Sequence, residues 1–285
     1  MMKKRSNWQK ASKMILTFIC SLSLFAVLSV SVIQITLFNQ TFMIHVAESS
    51  NYAETITKEI NHAISDLGRS GNIPPKVLSH IISKTWVKEN NREYIYSIYH
   101  DTTFQIKNTK QIEESIQNKV EEYVREKNVP INEEIKKTIS KLKEAGIKSA
   151  QRYIEIPYFA LYVKKIIGYR KTLQIIFIFA SMLSIILFFA IASFNRFFSH
   201  LNIRYLAYMI GGAGWMIGAL PAYLYSTHMI KRLGIHSEAL YQFLTTYLNN
   251  FLLMFIKYGI YSILFSLFLF FISECFRKKL LQRRK

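Results

Sequence analysis

Four long apolar blocks interrupt the polar segments of the chain. Three of them contain no Asp, Glu, Lys or Arg, and the fourth carries only Lys257 near one end and Glu274 at the other. The blocks cover residues 14–38, 172–195, 205–226 and 251–274. About 20 apolar residues span the hydrocarbon core of a bilayer, and runs of this length are typical of transmembrane helices. We therefore predict four transmembrane helices.

The first block could be mistaken for a signal peptide, but it is too long for one. The apolar part of a cleaved signal has roughly 7–15 residues and is followed by a small-residue cleavage site. Residues 14–38 exceed that length, and no A-x-A site follows them. We expect an uncleaved membrane anchor.

The polar segment from 39 to 171 shows helical periodicity, with apolar residues recurring on one face. We predict four helices there: residues 51–66, a helix from Lys76 onward, residues 110–127, and a helix from Asn132 to Gly146. Asn132 is a favoured N-cap residue and is followed by two glutamates, whereas glycine commonly ends a helix. The pattern over 92–108 leaves helix and strand open.

A shorter polar segment, residues 227–250, lies between the third and fourth blocks. Ser237 is a candidate N-cap, and Leu240, Leu244 and Tyr247 follow it at helical spacing. This pattern predicts a helix that either lies at the membrane interface or extends the fourth span. The predicted fold is all-α, with four transmembrane helices and a mainly helical domain inserted between the first and second.

Basic residues cluster in three segments that alternate correctly for one side of a four-span protein. These are the N-terminal segment 1–13, the loop 196–204 and the tail 275–285. Loops rich in Lys and Arg stay in the cytoplasm, so we predict a plasma-membrane protein with both termini cytoplasmic and residues 39–171 and 227–250 outside. Much of the net charge of +19 then reflects orientation, and we expect no nucleic-acid partner.

The third block contains glycines spaced almost like a dinucleotide-binding loop. That loop must follow a strand and open a helix near water, whereas these glycines lie inside an apolar run. Gly211, Gly214, Gly218 and Ala222 instead place small residues on one helix face, which lets a neighbouring helix approach closely in lipid. We predict a helix-packing strip. Pro221 leaves open a second interpretation, a hinge near the outer end.

Basic side chains also flank the predicted membrane boundary. Candidate lipid-headgroup contacts on the outer side are Arg152, Lys164, Lys165, Arg170 and Lys171, which lie among tyrosines; anchoring of the second span by the same residues is the alternative. Lys257 is a candidate functional charge because ionisable residues inside spans are usually functional. Snorkelling of Lys257 to the interface is the alternative.

Candidate chemistry is sparse in this sequence. The two cysteines, Cys20 and Cys275, fall within or beside predicted spans, so no disulfide is expected in the outer domain. Histidines such as His62, four residues before Asp66, match no zinc signature. The spans carry no acid in their middles, which proton relays usually need, and no nucleophile elbow is present. We expect no metal, no cofactor and no catalytic residue.

Two resemblances accompany this architecture. The strong use of Ile, Lys, Asn, Tyr and Phe, with the segment from Gly71 to Leu78 and the Asn128–Ile131 turn, resembles uncharacterised integral membrane proteins of low-GC Gram-positive bacteria. That resemblance implies location and topology. The order of spans is similar to type VII ABC permeases, which carry a large outer domain between spans one and two and bind a cytoplasmic ATPase. The loop from Asn195 to Arg204 lacks their acidic and arginine-rich coupling sequence.

The sequence is compatible with three functions. The first is a non-catalytic envelope protein that binds a ligand, or another membrane or envelope protein, through its outer helical domain as a sensor, regulator or assembly factor. The second is a permease subunit of an ABC-type export or mechanotransmission complex, with an ATPase partner. The third is an intramembrane enzyme. We expect the first, with the lipid bilayer as the common partner.

Overall fold

The computed structural model describes residues 7–156, 159–194, 199–235 and 237–282. Within these ranges every regular element is helical, which confirms the all-α prediction. The α-helices are α1 Asn7–Thr36, α2 Gln40–Ser49, α3 Tyr52–Leu67, α4 Lys84–His100, α5 Thr109–Glu126, α6 Glu133–Ile154, α7 Phe159–Gly168, α8 Arg170–Phe194, α9 Ser199–Ser226 and α10 Glu238–Gln282, with short 3₁₀ turns at Gly68–Gly71 and Met229–Arg232.

The chain divides into two compact units. The apolar unit comprises residues 1–39, 169–233 and 248–285, and the polar unit comprises residues 40–168 and 234–247. The first turns of α10 therefore belong to the polar unit and the remainder belongs to the apolar unit.

Three stretches of helix are long and apolar enough to cross a membrane: Ala11–Thr36, Phe159–Ser193 and Glu238–Leu280. They overlap the predicted spans 14–38, 172–195 and 251–274. Helix α9 is not among them, because its glycines, Pro221 and aromatic residues lower its mean hydropathy. The chain thus has three apolar helices of spanning length, which is typical of a membrane-embedded protein, and α9 is a helix of similar length but weaker hydropathy.

Helix α1 is the central element of the apolar unit, where it packs against α8 and α9. Cys20, Ile191 and Met209 form its buried core. Small hydroxyl residues connect the helices: the Ser23 hydroxyl donates to the Ala180 carbonyl at 2.7 Å and accepts from the Ser184 hydroxyl at 2.9 Å. Since lipid supplies no hydrophobic drive between helices, close packing and such hydrogen bonds hold them together.

The polar unit is built from amphipathic helices whose apolar stripes face each other. Helix α3 packs against α4 and α6, and α5 packs against α6. The stripes are Ile56, Ile60 and Ile64 of α3; Ile112, Ile116, Val120 and Val124 of α5; and Ile139, Leu142, Gly146, Ala150 and Ile154 of α6. Their 3–4-residue spacing is what the sequence predicts for helices with one buried face.

The start of α10 belongs to this unit through an aromatic cluster, which we define as Phe42, Tyr52, Phe159, Phe243 and Tyr247. The Phe243 ring lies 5.4 Å from that of Tyr52 and 5.9 Å from that of Phe159, and the Tyr247 ring lies 5.6 Å from that of Phe42. Ser237 caps the helix, since its hydroxyl accepts from the Leu240 amide at 3.3 Å. Of the two interpretations of residues 227–250, the structure supports extension of the fourth apolar helix.

Two helix boundaries differ from the prediction. Residues 76–80 form turns, and α4 begins only after Ser83, whose hydroxyl accepts from the Trp86 amide at 3.2 Å. Within this segment His80 adopts a left-handed φ of 55°, which is not a helical conformation. Gly146 does not end α6, which continues to Ile154. It is buried instead, and a Cβ there would lie 2.8 Å from Ile116 Cδ1, so the glycine permits close packing.

Two other predicted segments also change. Residues 92–100 are the second half of α4, while 102–108 have no regular structure. The predicted loop 196–204 is helical from Ser199 onward, and Asn195 to Phe198 lie outside the described residues. The predicted tail 275–285 continues α10 as far as Gln282.

Two asparagine side chains, one half-buried and one fully buried, stabilise the irregular segments. Asn61 pairs with the backbone of Ile82, donating to its carbonyl and accepting from its amide, both at 2.9 Å. Asn90, fully buried, accepts from the Lys107 amide at 2.7 Å and donates to the Lys107 carbonyl at 3.3 Å. These side chains satisfy backbone groups that a helix or a strand would otherwise pair.

We predict that Asn90→Ala destabilises the polar unit by about 1–3 kcal/mol, because the fully buried Asn90 side chain makes two hydrogen bonds to the Lys107 backbone that alanine cannot replace. Thermal unfolding in mild detergent, followed by tryptophan fluorescence, measures the effect; the Trp86 indole donates to the neighbouring Asn108 carbonyl at 3.2 Å. The exposed Asn118 of α5 gives the control, since Asn118→Ala should leave stability unchanged or slightly raised. Equal effects of the two substitutions would contradict this account.

Candidate functional site

Helices α9 and α10 approach each other so closely that no side chain fits between them. A Cβ placed on Gly214 would lie 2.8 Å from Ser262 Cβ and 3.0 Å from the Gly259 carbonyl oxygen, and one placed on Gly259 would lie 2.9 Å from the Gly214 oxygen. Since real Cβ atoms do not approach other atoms so closely, the backbones touch here and both residues must be glycine. Gly218 is more open, since a Cβ placed there would lie 3.6 Å from the Gly259 Cα.

The strip on α10 that meets these glycines was missed in the sequence. Gly259, Ser262, Ser266 and Ser273 recur at spacings of three, four and seven within a run of Leu, Ile and Phe. The Ser266 hydroxyl donates to the Ala207 carbonyl at 2.7 Å, and that of Ser273 donates to the His200 carbonyl at 2.6 Å. Small residues at helical spacing in an otherwise bulky run are the signal that would have found it.

The other members of the predicted strip have different surroundings. A Cβ on Gly211 would lie 2.6 Å from the Ser266 hydroxyl oxygen, so Gly211 also faces α10. Ala222 is exposed, and Pro221 lies within α9, which continues to Ser226. The close part of the contact therefore runs from Gly211 to Gly218.

An ion pair joins the other ends of these two helices. The Arg204 guanidinium contacts the Glu274 carboxylate and lies 5.4 Å from the centre of the Phe270 ring, and Arg277 also reaches Glu274 at 2.7 Å. Both Arg204 and Glu274 are about three-quarters buried. A carboxylate between two guanidinium groups leaves no uncompensated negative charge at this end of the apolar unit.

The candidate charged residues of the sequence lie on the surface of their units. Lys257 is exposed on α10, as are Arg152, Lys164, Lys165, Arg170 and Lys171 in their own segments. Lys164 donates to Asp101 at 2.6 Å, and this hydrogen bond lowers the pKa of the Asp101 carboxyl group. His62 pairs with Asp66 at 3.2 Å on α3. The structure brings none of these residues together into one site.

The polar unit contains a pocket that the sequence did not indicate. Its cavity of about 220 Å³ lies where α3, the C-terminal end of α6 and the start of α10 meet, and its walls include Tyr52, Ile56, Glu59, Arg152, Tyr153 and Leu240. Apolar grooves of about 470 and 360 Å³ also occur in the apolar unit. These grooves have no charged lining residue.

The polar groups of the pocket are incompletely paired. One Glu59 oxygen accepts from the Ala239 amide at 3.3 Å, at the first turn of α10. The Tyr52 side chain is only 2% exposed and its hydroxyl has no hydrogen-bond partner. Burial raises the pKa of Tyr52 above its ordinary value, and the nearby Tyr94 and Glu59 raise it further, so this hydroxyl stays protonated. A buried unpaired hydroxyl is costly unless something binds it.

This arrangement can bind a small polar ligand, since apolar walls with a few convergent polar groups are typical of binding sites. The sequence could not reveal it, because Tyr52, Arg152 and Leu240 come from three segments that lie far apart in the chain. Each of these residues is ordinary in its own helix, and only folding brings them together.

Comparison with known proteins adds no assignment: neither a family model, a curated protein nor a solved structure matches this chain.

We predict that Gly214→Ala destabilises the apolar unit by about 1–3 kcal/mol, because its methyl group overpacks against the backbone of α10. Gly218→Ala should change stability by less than about 0.5 kcal/mol, since its methyl group makes an ordinary contact and alanine favours the helix. Unfolding temperatures of the two purified variants in the same detergent measure the difference. Equal unfolding temperatures for Gly214→Ala and Gly218→Ala would contradict the backbone contact between α9 and α10.

Proposed function

We propose that this chain is a four-span plasma-membrane protein whose helical polar unit lies outside the cytoplasm and binds a small ligand, as a non-catalytic sensor or regulator. Helices α1, α8, α9 and α10 are the spans, and both termini are cytoplasmic. The cytoplasmic placement follows from the basic segments at residues 1–13 and 275–285.

The proposed topology is supported by the two separate chain segments that make up the polar unit. Residues 40–168 precede α8 and residues 234–247 follow α9, yet both belong to one compact unit. Segments that fold together lie on the same side of a membrane. If α8 takes the chain across, α9 must bring it back, although its hydropathy is lower than that of the other three helices. The glycine contact with α10 and the Ser21 hydroxyl bond to the Met209 carbonyl at 3.1 Å supply the packing for such a helix.

The pocket supports ligand binding. It lies within the unit, its walls come from three segments, and it contains an unpaired buried hydroxyl together with an acid and a base. The start of α10 forms one wall, so a ligand there would contact the helix that continues into the apolar unit. This gives a physical route for a binding event outside to bias helix packing within the membrane.

The exposed basic residues Lys164, Lys165, Arg170 and Lys171 complete the proposal as contacts to lipid headgroups at the outer surface, whereas Arg152 lines the pocket. Exposed Leu161, Tyr162 and Tyr169 lie among them. Aromatic and basic side chains of this kind favour the interfacial layer of a bilayer.

Binding is tested on the full-length protein in mild detergent with the low-molecular-mass fraction of an extract of the expressing cells. At a ligand concentration about 100-fold above Kd, stability rises by about 2.7 kcal/mol, which corresponds to an increase in Tm of about 5 °C. Leu240→Trp fills the pocket and should abolish this shift. The control Val129→Trp adds the same ring at an exposed site of the unit and should retain it.

Absence of any shift in the wild-type protein, together with no bound small molecule in native mass spectrometry, would contradict ligand binding. A shift that persists in Leu240→Trp would place the ligand elsewhere.

A further inference from the structure

The pocket of the polar unit holds one acid and one base that do not pair with each other. Glu59 and Arg152 both line it, yet no ion pair joins them, and the Arg152 guanidinium has no partner among the described residues. Several other charges of the same unit are paired, as in Lys107–Glu93 at 2.7 Å and Lys84–Glu54 at 2.9 Å. An acid and a base that line one cavity without pairing are each able to contact a ligand there.

Each of the two groups has unused hydrogen-bonding capacity. The Ala239 amide occupies one oxygen of Glu59, and the second oxygen of the carboxylate can accept from a ligand. Arg152 offers a planar fork of N–H donors, the geometry that binds a carboxylate at two points. The Tyr52 hydroxyl, buried and unpaired, is a further donor.

The space between them is apolar and small. Ile56, Ile156 and Leu240 contribute aliphatic surface. A cavity of about 220 Å³ has room only for a small molecule, since one water molecule occupies about 30 Å³ in the liquid. Sugars of that size need many polar partners, which these aliphatic walls do not supply.

We propose that the ligand is a small zwitterion with an apolar body, having the size and charge pattern of a free aliphatic amino acid. Its ammonium group binds Glu59, its carboxylate binds Arg152, and its side chain packs against Ile56 and Leu240. This inference rests on the proposed function of the unit as a ligand-binding domain. A simple anion would leave Glu59 as a like charge in the same cavity, and a simple cation would do the same with Arg152.

The test uses L-leucine and two blocked forms of it with the full-length protein in mild detergent at pH 7. N-acetyl-L-leucine lacks the ammonium group, and L-leucinamide lacks the carboxylate. Isothermal titration should show that L-leucine binds at least tenfold more tightly than either blocked form, because each of them loses one charge-assisted contact.

Variants assign each charge to its partner. Arg152→Gln should weaken L-leucine binding at least tenfold and remove the preference over L-leucinamide, while Glu59→Gln should remove the preference over N-acetyl-L-leucine. Tyr52→Phe should weaken binding without lowering the Tm, since it deletes an unpaired hydroxyl and keeps the ring. Arg125→Gln, which changes an exposed arginine paired with Glu121 outside the pocket, is the matched control and should bind normally.

Two results would overturn the assignment: L-leucine producing no binding heat at millimolar concentration, or the pocket variants binding it as well as the control. If the cell-extract fraction stabilises the wild-type protein but not Leu240→Trp, while L-leucine fails, the pocket remains a ligand site and only its zwitterionic character is wrong. If neither the extract nor L-leucine has an effect, the proposed function fails as well.

Discussion

The contact of Gly214 with Gly259 is the constraint on which the rest of this account depends. Helix α9 contains no stretch as apolar as those of α1, α8 and α10 that are long enough to cross a membrane, and its glycines and Pro221 lower its intrinsic helix propensity. The glycines of α9 form a backbone surface against which α10 packs with no side chains between the two helices. Interhelical hydrogen bonds from Ser266 and Ser273 reinforce the contact, because a hydroxyl in hydrocarbon has no water to bind.

This packing has a consequence at the other end of α10. If α9 returns the chain across the membrane, the first turns of α10 reach the side on which residues 40–168 fold. There Phe243 enters the aromatic cluster and Leu240 forms one wall of the pocket. One helix therefore carries both the tight contact inside the apolar unit and part of the binding surface of the polar unit. That continuity supports the proposed role as a sensor or regulator.

Local sequence signals predicted much of the fold. The stripe of Ile56, Ile60 and Ile64 indicated α3, and the Asn132 side chain caps α6 by accepting from the Ile135 amide at 2.9 Å. The prediction that Gly146 ends α6 was wrong. Glycine both ends helices and permits close helix contacts, and the sequence alone does not distinguish these two roles. The predicted helix from Lys76 onward was also wrong. Asn61, which is distant in sequence, forms hydrogen bonds with backbone groups that such a helix would have used.

Sequence patterns alone could not predict the candidate site. The glycine strip on α9 was visible as small residues at helical spacing, but its partner on α10 was hidden by the surrounding Phe and Leu. The pocket left no pattern at all, since Glu59 and Arg152 each look like ordinary surface charges on amphipathic helices. Their proximity is a product of the tertiary packing of α3 and α6, which no local periodicity encodes.

The sidedness of three positions tests the central claim most directly. Glu114→Cys in α5 and Lys231→Cys after α9 are each placed in a Cys275→Ser background, and the wild-type protein reports on its own exposed Cys275. Intact cells are treated with a membrane-impermeant maleimide before and after permeabilisation. The account predicts that positions 114 and 231 react in intact cells and that Cys275 reacts only after permeabilisation. Protection of position 231 while position 114 reacts would show that α9 does not cross the membrane and would contradict the four-span architecture.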